Sequence, residues 1–303
     1  MPEYGVTLTA ANFRDTVQYK TSIDYDRTLN EPKKLLSDFA SLFLDRLSHL
    51  DQTKWLMTFQ ILSQSIAEKQ ILVYAADPFL QRQVRDLGLS GEVKHIDGDY
   101  LSIIHSNVGG GKTDIKIKQT VDKTVSIATD GRAQVRLKIT RTHEAFDEKF
   151  FPKNVDFMRI LTPLGSRLVS ASGFDALELL PSSREGAVSD PELAVWDERL
   201  HPDSSGMFVG EESGYTEFAN WLVLSPGQTK TLELVYDLPF VMKTNYISLL
   251  QKQSGAVPFE FRLKVHFPGQ IIYAYPSNLK NQNGALTISE AVAEDKVYGV
   301  IAQ

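Results

Sequence analysis

The chain has 303 residues, of which 42% are hydrophobic and 23% are charged, and it contains no cysteine. This length and apolar content suffice for one large domain or two ordinary ones, and they exclude disorder, collagen and coiled coil as overall descriptions. The lack of cysteine excludes disulfide scaffolds, thiol nucleophiles and cysteine-ligated metal sites. The net charge of −6 argues against general nucleic-acid binding.

The first hundred residues mix helical patterns with short apolar runs. Asn30 is a suitable cap for a helix whose apolar residues recur at steps of three and four. Asp51 is the cap of a second predicted helix, with Phe59 on its buried face. The apolar run 71–75 predicts a buried strand, and Asp77, followed by proline, predicts the start of a third helix.

From Thr113 onward the apolar period changes from about 3.6 to 2. Ile117, Val121 and Val125 share one face of a long strand, which turns at Asp130-Gly131 into a second one. Further strands are predicted at 99–106, 155–161, 167–171, 217–224, 229–236, 246–250, 259–267, 271–275, 285–289 and 296–301.

These elements predict a mixed α+β fold with two domains. Residues 1–107 form a partial α/β domain with helices on a small sheet. Residues 108–303 form an antiparallel β-sandwich of the immunoglobulin or fibronectin type, with an irregular acidic excursion at about 172–217.

Charge is separated along the chain. Residues 112–141 hold eight Lys/Arg against three Asp, a net of +5, and residues 172–217 hold eleven Asp/Glu against two Arg, a net of −9. In the predicted hairpin the basic residues alternate with the apolar face, so they line one exposed surface: Lys116, Lys118, Arg132, Arg136 and Lys138. Two interpretations stay open: a solvated face paired with the acidic segment, or a binding site for an anionic polymer or lipid headgroup.

The glycine-rich string Ser106–Thr113 resembles a phosphate-binding loop, because Gly109–Lys112 followed by threonine gives it the Gly-Lys-Thr ending of such loops. Ser106 stands where such a loop has its first glycine, and the next segment alternates as a strand, so no helix N-terminus is predicted to face a phosphate. A turn between domains is the favoured interpretation, and nucleotide binding is the alternative.

Other motifs indicate no catalytic residue, metal site or cofactor. The six histidines lack metal-ligand spacing, and no Gly-x-Ser-x-Gly string occurs. Asp24, Asp26 and Arg27 form a cluster before a predicted helix, and such a cluster could hold a phosphate ester or a divalent ion. The competing interpretation is an Asp–Arg pair that fixes the loop.

Several strings of the chain resemble a bacterial family. They are Gly5–Asn12, Asp26-Arg27, Tyr74–Pro78, Leu87–Gly91, Asp99–Lys112 with Val121-Asp122, Ser225–Pro239 and Leu249–Gly255. Together they are similar to the domain-of-unknown-function family 4012. The resemblance implies an extracytoplasmic protein of the cell envelope, anchored by an N-terminal membrane helix that would precede the present sequence.

The α/β part distantly resembles the LytR–CpsA–Psr transferases, which attach lipid-pyrophosphate-linked glycopolymers to the cell wall. Only Asp24 and Arg27 match an Asp-x-x-Arg spacing of that family. The resulting expectation is a non-enzymatic envelope protein whose β-sandwich contacts a glycopolymer or other envelope components, with no nucleic acid and no membrane contact except through the missing segment. The alternative is a phosphotransferase acting on a polyprenyl-pyrophosphate-linked glycopolymer.

Overall fold

A computed structural model describes residues 1–25, 27, 30–146, 151–175, 188, 190–192, 195, 199–282 and 284–303, with the side chains of Ser22 and Gln282 excepted. The chain divides into two compact units, Met1–Gln64 and Ser65–Gln303. The sequence places the domain boundary later, at residue 107.

The first unit is helical. It contains α1 (Phe13–Ser22), α2 (Lys34–Ser48) and most of α3 (Gln52–Ala67). The ring of Phe39 lies 4.9 Å from that of Phe13 and joins α2 to α1. The cap predicted at Asn30 is wrong, because α2 starts three to four residues later. The predicted burial of Phe59 on α3 is also wrong, since this side chain is 66% exposed.

The second unit contains the helix α4 (Pro78–Asp86), whose Asp77 side chain accepts the backbone N–H groups of Phe79 and Leu80 as predicted. The strand predicted at residues 71–75 is wrong: this segment belongs to neither sheet, and Tyr74 is 81% exposed. No helix in the described ranges combines the length and apolar content needed to cross a membrane.

The described residues of the second unit also include fifteen strands. They are β1 (Asp99–Asn107), β2 (Ile117–Ile127), β3 (Ala133–His143), β4 (Asn154–Pro163), β5 (Arg167–Ser172), β6 (His201–Pro202), β7 (Phe208–Glu212), β8 (Tyr215–Leu224), β9 (Thr229–Asp237), β10 (Asn245–Gln251), β11 (Phe259–His266), β12 (Ile271–Tyr275), β13 (Lys280–Gln282), β14 (Ala285–Val292) and β15 (Lys296–Ala302). The strands predicted from apolar alternation are confirmed, except the one at 71–75, whereas β6, β7 and β13 were not predicted.

The strands form two sheets. The larger has the order β12-β15-β10-β1-β4-β8-β7-β6, and the smaller has the order β13-β14-β11-β2-β3-β9-β5. The expected antiparallel pairing needs a correction, because β1 pairs with β10 and β2 with β11 in parallel. Both sheets are therefore mixed, and the fold is α+β with β structure predominant. Within the acidic excursion, the part from residue 201 on is regular, since it contains β6, β7 and the start of β8.

The two sheets enclose one apolar core to which both contribute, for example Leu101 of β1 and Val121 of β2. The turn between β2 and β3 requires glycine at Gly131, where φ is 84° and a Cβ atom would lie 2.6 Å from the carbonyl oxygen of Met242. On the outside of the larger sheet, Ile96 packs on a second small cluster that includes Tyr100.

A buried ion pair joins the two sheets. Lys123 of β2 points inward, and its Nζ lies 2.6 Å from Oδ2 of Asp99 on β1, both side chains being at most 1% exposed. The same carboxylate oxygen accepts the hydroxyl of Tyr246 at 2.6 Å. The hydroxyl of Tyr236 is also buried here and has no hydrogen-bond partner among the described residues. Such a pair is sensitive to the loss of either charge.

A second buried network lies near the end of β1. Nδ1 of His105 lies 2.7 Å from Oδ2 of Asp156, which also accepts the guanidinium of Arg141. Burial, together with the charge of Arg141, lowers the pKa of His105. Burial alone would raise the pKa of Asp156, but its bonds to His105 and the Arg141 charge outweigh burial and lower it.

Candidate functional site

The hairpin of β2 and β3 places three of the predicted basic residues on the outer face of the smaller sheet. Lys118, Arg136 and Lys138 alternate with buried residues on their strands. Lys138 lies opposite Asp122, and Arg136 lies opposite Thr124. The exposed basic surface expected for this hairpin is therefore present at these three positions.

Lys116 does not belong to this surface. It lies in a 3₁₀ turn, Thr113–Lys116, that precedes β2. Its Nζ atom sits 4.8 Å from the centre of the Phe151 ring. The strand was expected to include this residue, but regular pairing starts only at Ile117. The alternation that predicts an outward Lys116 thus does not apply, because the residue is outside the strand.

Neighbouring strands extend the basic surface beyond the hairpin. On β11, Arg262 and Lys264 point outward, next to Asp122 and Thr124 of β2. Across β14, Lys280 of β13 lies opposite Thr287, which itself lies opposite Lys264. We define the cationic face as the set Lys118, Arg136, Lys138, Arg262, Lys264 and Lys280.

A groove of about 670 Å³ runs through the β13 side of the cationic face. It is lined by Arg262, Lys264 and Lys280, by the polar side chains of Asn278 and Ser289, and by the carboxylate of Asp122, which pairs with Arg262. Two lysines without a carboxylate partner thus share the groove with an amide and a hydroxyl, which are groups that can bind an oxyanion or the hydroxyls around it.

Some cations of the face are neutralised and others are not. Arg136 pairs with Glu233 at 2.5 Å, and Arg262 pairs with Asp122 at 3.2 Å. In the described part of the chain, no carboxylate lies within 4.0 Å of four exposed lysines: Lys118, Lys138, Lys264 and Lys280. The face therefore keeps positive charge that its own strands do not neutralise.

The acidic segment was one candidate partner for this charge. Among its described residues, Asp175 pairs with Lys230 at 2.5 Å, and Glu212 pairs with Arg159 at 2.5 Å. Neither cation belongs to the cationic face. These two acids of the segment thus pair with cations elsewhere in the second unit.

The other predicted cluster lies in the first unit. Asp24 accepts Nζ of Lys20 at 2.7 Å, one helical turn away. The guanidinium carbon of Arg27 lies 6.0 Å from the ring centre of Tyr25. No hydrogen bond or ion pair joins Asp24 to Arg27 in the structure, and Asp26 lies outside the described residues. The structure therefore does not bring the two described members of this cluster together.

The glycine-rich loop is closed by its own polar side chains. Nδ2 of Asn107 donates to Oγ1 of Thr113 at 2.9 Å and to Oδ2 of Asp114 at 3.0 Å. Nδ2 of Asn154 on β4 donates to the same two side chains at 3.0 Å each. The four-residue 3₁₀ turn that follows replaces the long helix that supports a phosphate-binding loop.

No group of three or more potential metal-binding side chains occurs among the residues that the structure describes. The residues that sequence reasoning missed are Arg262, Lys264 and Lys280. The first two could have been found from the alternation of charged and apolar residues in the strand predicted at 259–267. Lys280 had no such signal, because its strand has only three residues.

Comparison with known proteins adds no family. No protein-family model matches the chain, and no curated protein matches it. Among solved structures, it is similar to a Legionella pneumophila protein described as nutrient-binding, with 8% identity, a TM-score of 0.37 and coverage of 67% of this chain and 71% of that one. It is also similar to an M1 zinc metallopeptidase from Deinococcus radiodurans, with 14% identity, a TM-score of 0.25 and coverage of 61% and 42%. Likeness at these scores carries no argument about function.

Proposed function

We propose that the second unit binds an anionic polymer of the bacterial cell envelope through the cationic face, without catalysing a reaction. The observation that carries this proposal is a set of four lysines on one sheet face with no carboxylate partner among the described residues: Lys118, Lys138, Lys264 and Lys280. The polymer class we favour is a glycopolymer that carries phosphate or carboxylate groups.

The arrangement of the cations favours a linear polymer over a single small anion. One row across the sheet contains three cations, Lys280 on β13, Lys264 on β11 and Arg136 on β3. Between each cation and the next lies one strand, which has a threonine at its position in the row. Because strands are about 4.8 Å apart, neighbouring cations of the row are spaced by roughly 9.5 Å along the backbone. This spacing supports repeated contacts with charges along a chain.

Each exposed contact is weak by itself. An exposed ion pair contributes about 0–1 kcal/mol, so one phosphate on this face would bind poorly. A polymer engages several lysines at once, and each further contact then becomes intramolecular. We therefore expect affinity to depend on polymer length and to fall with ionic strength.

The cell envelope is part of the proposal on the basis of the family resemblance, which implies an extracytoplasmic protein. An immunoglobulin- or fibronectin-like relationship of the two-sheet unit belongs to the proposal as well. Two sheets packed around a common core support this relationship. The immunoglobulin fold consists of antiparallel sheets, so the parallel pairs of β1 with β10 and of β2 with β11 would be additions to it.

The test is a binding measurement between the full chain and poly(glycerol phosphate), with neutral dextran as the polymer control. The variant K138Q/K264Q/K280Q removes three charges from the cationic face. A matched control, K112Q/K153Q/K243Q, removes three exposed charges that lie outside it.

We expect the first variant to lose about tenfold or more in affinity, because three contacts of about 0.5 kcal/mol each sum to a tenfold effect. The control variant should lose less than about twofold. Equal losses for both variants would mean that only net charge matters and that the cationic face is not a site. Unchanged binding at high salt would also contradict the proposal.

A further inference from the structure

A second surface of the same unit carries exposed aromatic side chains without a described partner. Tyr273 and Tyr275 lie on β12, the edge strand of the larger sheet, and they are 55% and 51% exposed. As alternate residues of one strand they point to the same face, about 7 Å apart along the strand. Both rings are therefore presented together on the outside of the sheet.

The two neighbouring strands of the sheet, β15 and β10, form a trough in which this aromatic pair is one wall. On β15, Gly299 lies opposite Tyr275, and Ile301 lies opposite Tyr273. On β10, Ile247 lies opposite Gly299 on its other side. Tyr275 and Ile247 thus stand two strands apart, roughly 9.5 Å, with only glycine backbone between them. We call these five residues the tyrosine trough.

Nothing in the fold itself requires a glycine at position 299. Its φ is outside the left-handed region, and a Cβ atom built there would meet only the Cβ of Tyr275, at an ordinary 3.9 Å. A glycine inside a strand weakens it, and it often marks a place where a ligand approaches the backbone closely. Gly299 therefore points to an occupant of the trough.

A cleft of about 480 Å³ lies beside the trough, on the side of Ile247. Ile247 lines both, and the cleft adds the polar side chains of Asn245, Asp97 and His95. The His95 ring is exposed and stacks on Tyr215 with the ring centres 5.7 Å apart. The combined surface thus has aromatic and aliphatic walls with hydrogen-bonding groups at one end.

We infer that the tyrosine trough binds a pyranose ring of a glycan. A sugar ring has a C–H face that can stack on tyrosine, and it has hydroxyls at its rim that suit Tyr hydroxyls, Asn245 and Asp97. The gap left by one glycine is narrower than an α-helix, which is about 10–12 Å wide with its side chains. The gap therefore favours a single ring over a helical protein segment.

The inference rests on the proposed function and names a second contact with the same polymer. β12 and β13 are consecutive strands joined by residues 276–279, and they form the edges of the two sheets. Tyr275 is consequently five positions from Lys280 of the cationic face. A polymer that passes around this edge would place uncharged rings on the tyrosines and anionic groups on the lysines.

The test is a titration of the full chain with a short β-linked N-acetylglucosamine oligosaccharide and with further neutral oligosaccharides, followed by NMR or calorimetry. Tyr275→Ala removes the stacking ring, and Gly299→Leu fills the trough on an exposed strand face without demanding a strained backbone. Tyr74→Ala is the matched control, because Tyr74 is 81% exposed and lies outside the trough.

We expect wild-type binding to weaken by about tenfold or more in Tyr275→Ala and Gly299→Leu, and to be unchanged in Tyr74→Ala. If Gly299→Leu does not fold, the comparison of Tyr275→Ala with Tyr74→Ala decides. Failure of every neutral oligosaccharide to bind wild type would overturn the inference. So would equal binding by all variants, or a change from dimer to monomer in Tyr275→Ala, which would make the trough an interface between copies.

The two proposals fail separately. K138Q/K264Q/K280Q should bind the neutral oligosaccharide as wild type does while losing poly(glycerol phosphate). Binding of the oligosaccharide without any binding of the anionic polymer would refute the proposed function and leave the trough as a sugar site. The opposite result would refute the trough alone.

Discussion

The substitution Lys123→Met tests whether the ion pair between the two sheets holds them together. Lys123 is 1% exposed and its partner Asp99 is fully buried, with 2.6 Å between Nζ and Oδ2. Removing one member of a buried pair leaves the other charge uncompensated, which costs about 3–5 kcal/mol. Since Tyr246 still donates to the carboxylate at 2.6 Å, we expect the lower end, about 3 kcal/mol. A change of this size corresponds to roughly 6–12 °C in the melting temperature of a unit of about 240 residues.

The measurement is urea and thermal unfolding of the full chain, followed by circular dichroism and analysed for the transition of the β-rich unit. The double variant Asp99→Asn/Lys123→Met removes both charges and should recover stability relative to the single Lys123→Met variant. Together with the single variant Asp99→Asn, it gives the coupling energy of the pair. Lys118→Met is the control, because Lys118 is exposed on the same strand and should change stability by less than about 0.5 kcal/mol.

A loss below about 1 kcal/mol in Lys123→Met, at an unchanged dependence on urea, would contradict the cost expected for an uncompensated buried charge. An equal loss in Lys118→Met would refute it too, since the effect would then not depend on burial. A double variant less stable than Lys123→Met would show that Asp99 contributes by a route other than this pair.

Three further results are expected. Tyr246→Phe should lose about 1.5–3 kcal/mol of unfolding free energy, because the hydroxyl of Tyr246 donates to a buried carboxylate. Tyr236→Phe should lose none, since the hydroxyl of Tyr236 has no described partner. The midpoints of urea unfolding measure the difference between the two variants. His105 has a lowered pKa in the folded state, so the unfolded chain binds its proton first and stability falls as the pH drops through about 6.5. His105→Asn should reduce this dependence of the unfolding free energy on pH, measured by urea unfolding at several pH values. A variant whose stability depends on pH as strongly as that of wild type would contradict the prediction. Asp77→Ala should destabilise α4 locally by about 1 kcal/mol, seen as faster amide hydrogen exchange confined to that helix.

Local patterns sufficed where one face of an element is apolar. The hairpin is the clearest case: alternation around Val121 and a turn at Gly131 predict two paired strands, and β2 and β3 pair in register around that turn. The cap of α4 at Asp77 is likewise a local feature, because a side chain and the next backbone N–H groups form it without distant residues.

Local patterns failed where partners come from far along the chain. Residues 71–75 have the composition of a buried strand, yet the segment joins neither sheet, and the N–H of Val73 donates instead to the carbonyl oxygen of Leu89. Lys123 has the residue type of an exposed position, yet it points inward because Asp99 on the opposite sheet compensates its charge. Lys116 fell outside the face because a short turn delays the start of β2.

Local sequence patterns predict most of the described strands, the starts of α3 at Asp51 and of α4 at Asp77, and three of the basic residues of the cationic face, since apolar period and capping are properties of neighbouring residues. Tertiary structure alone decided the parallel pairings, the groove that brings Lys280 beside Lys264, and the trough in which Gly299 separates Tyr275 from Ile247. Each of these depends on which strands lie side by side, and the period-two pattern of a strand is the same whichever partner it has.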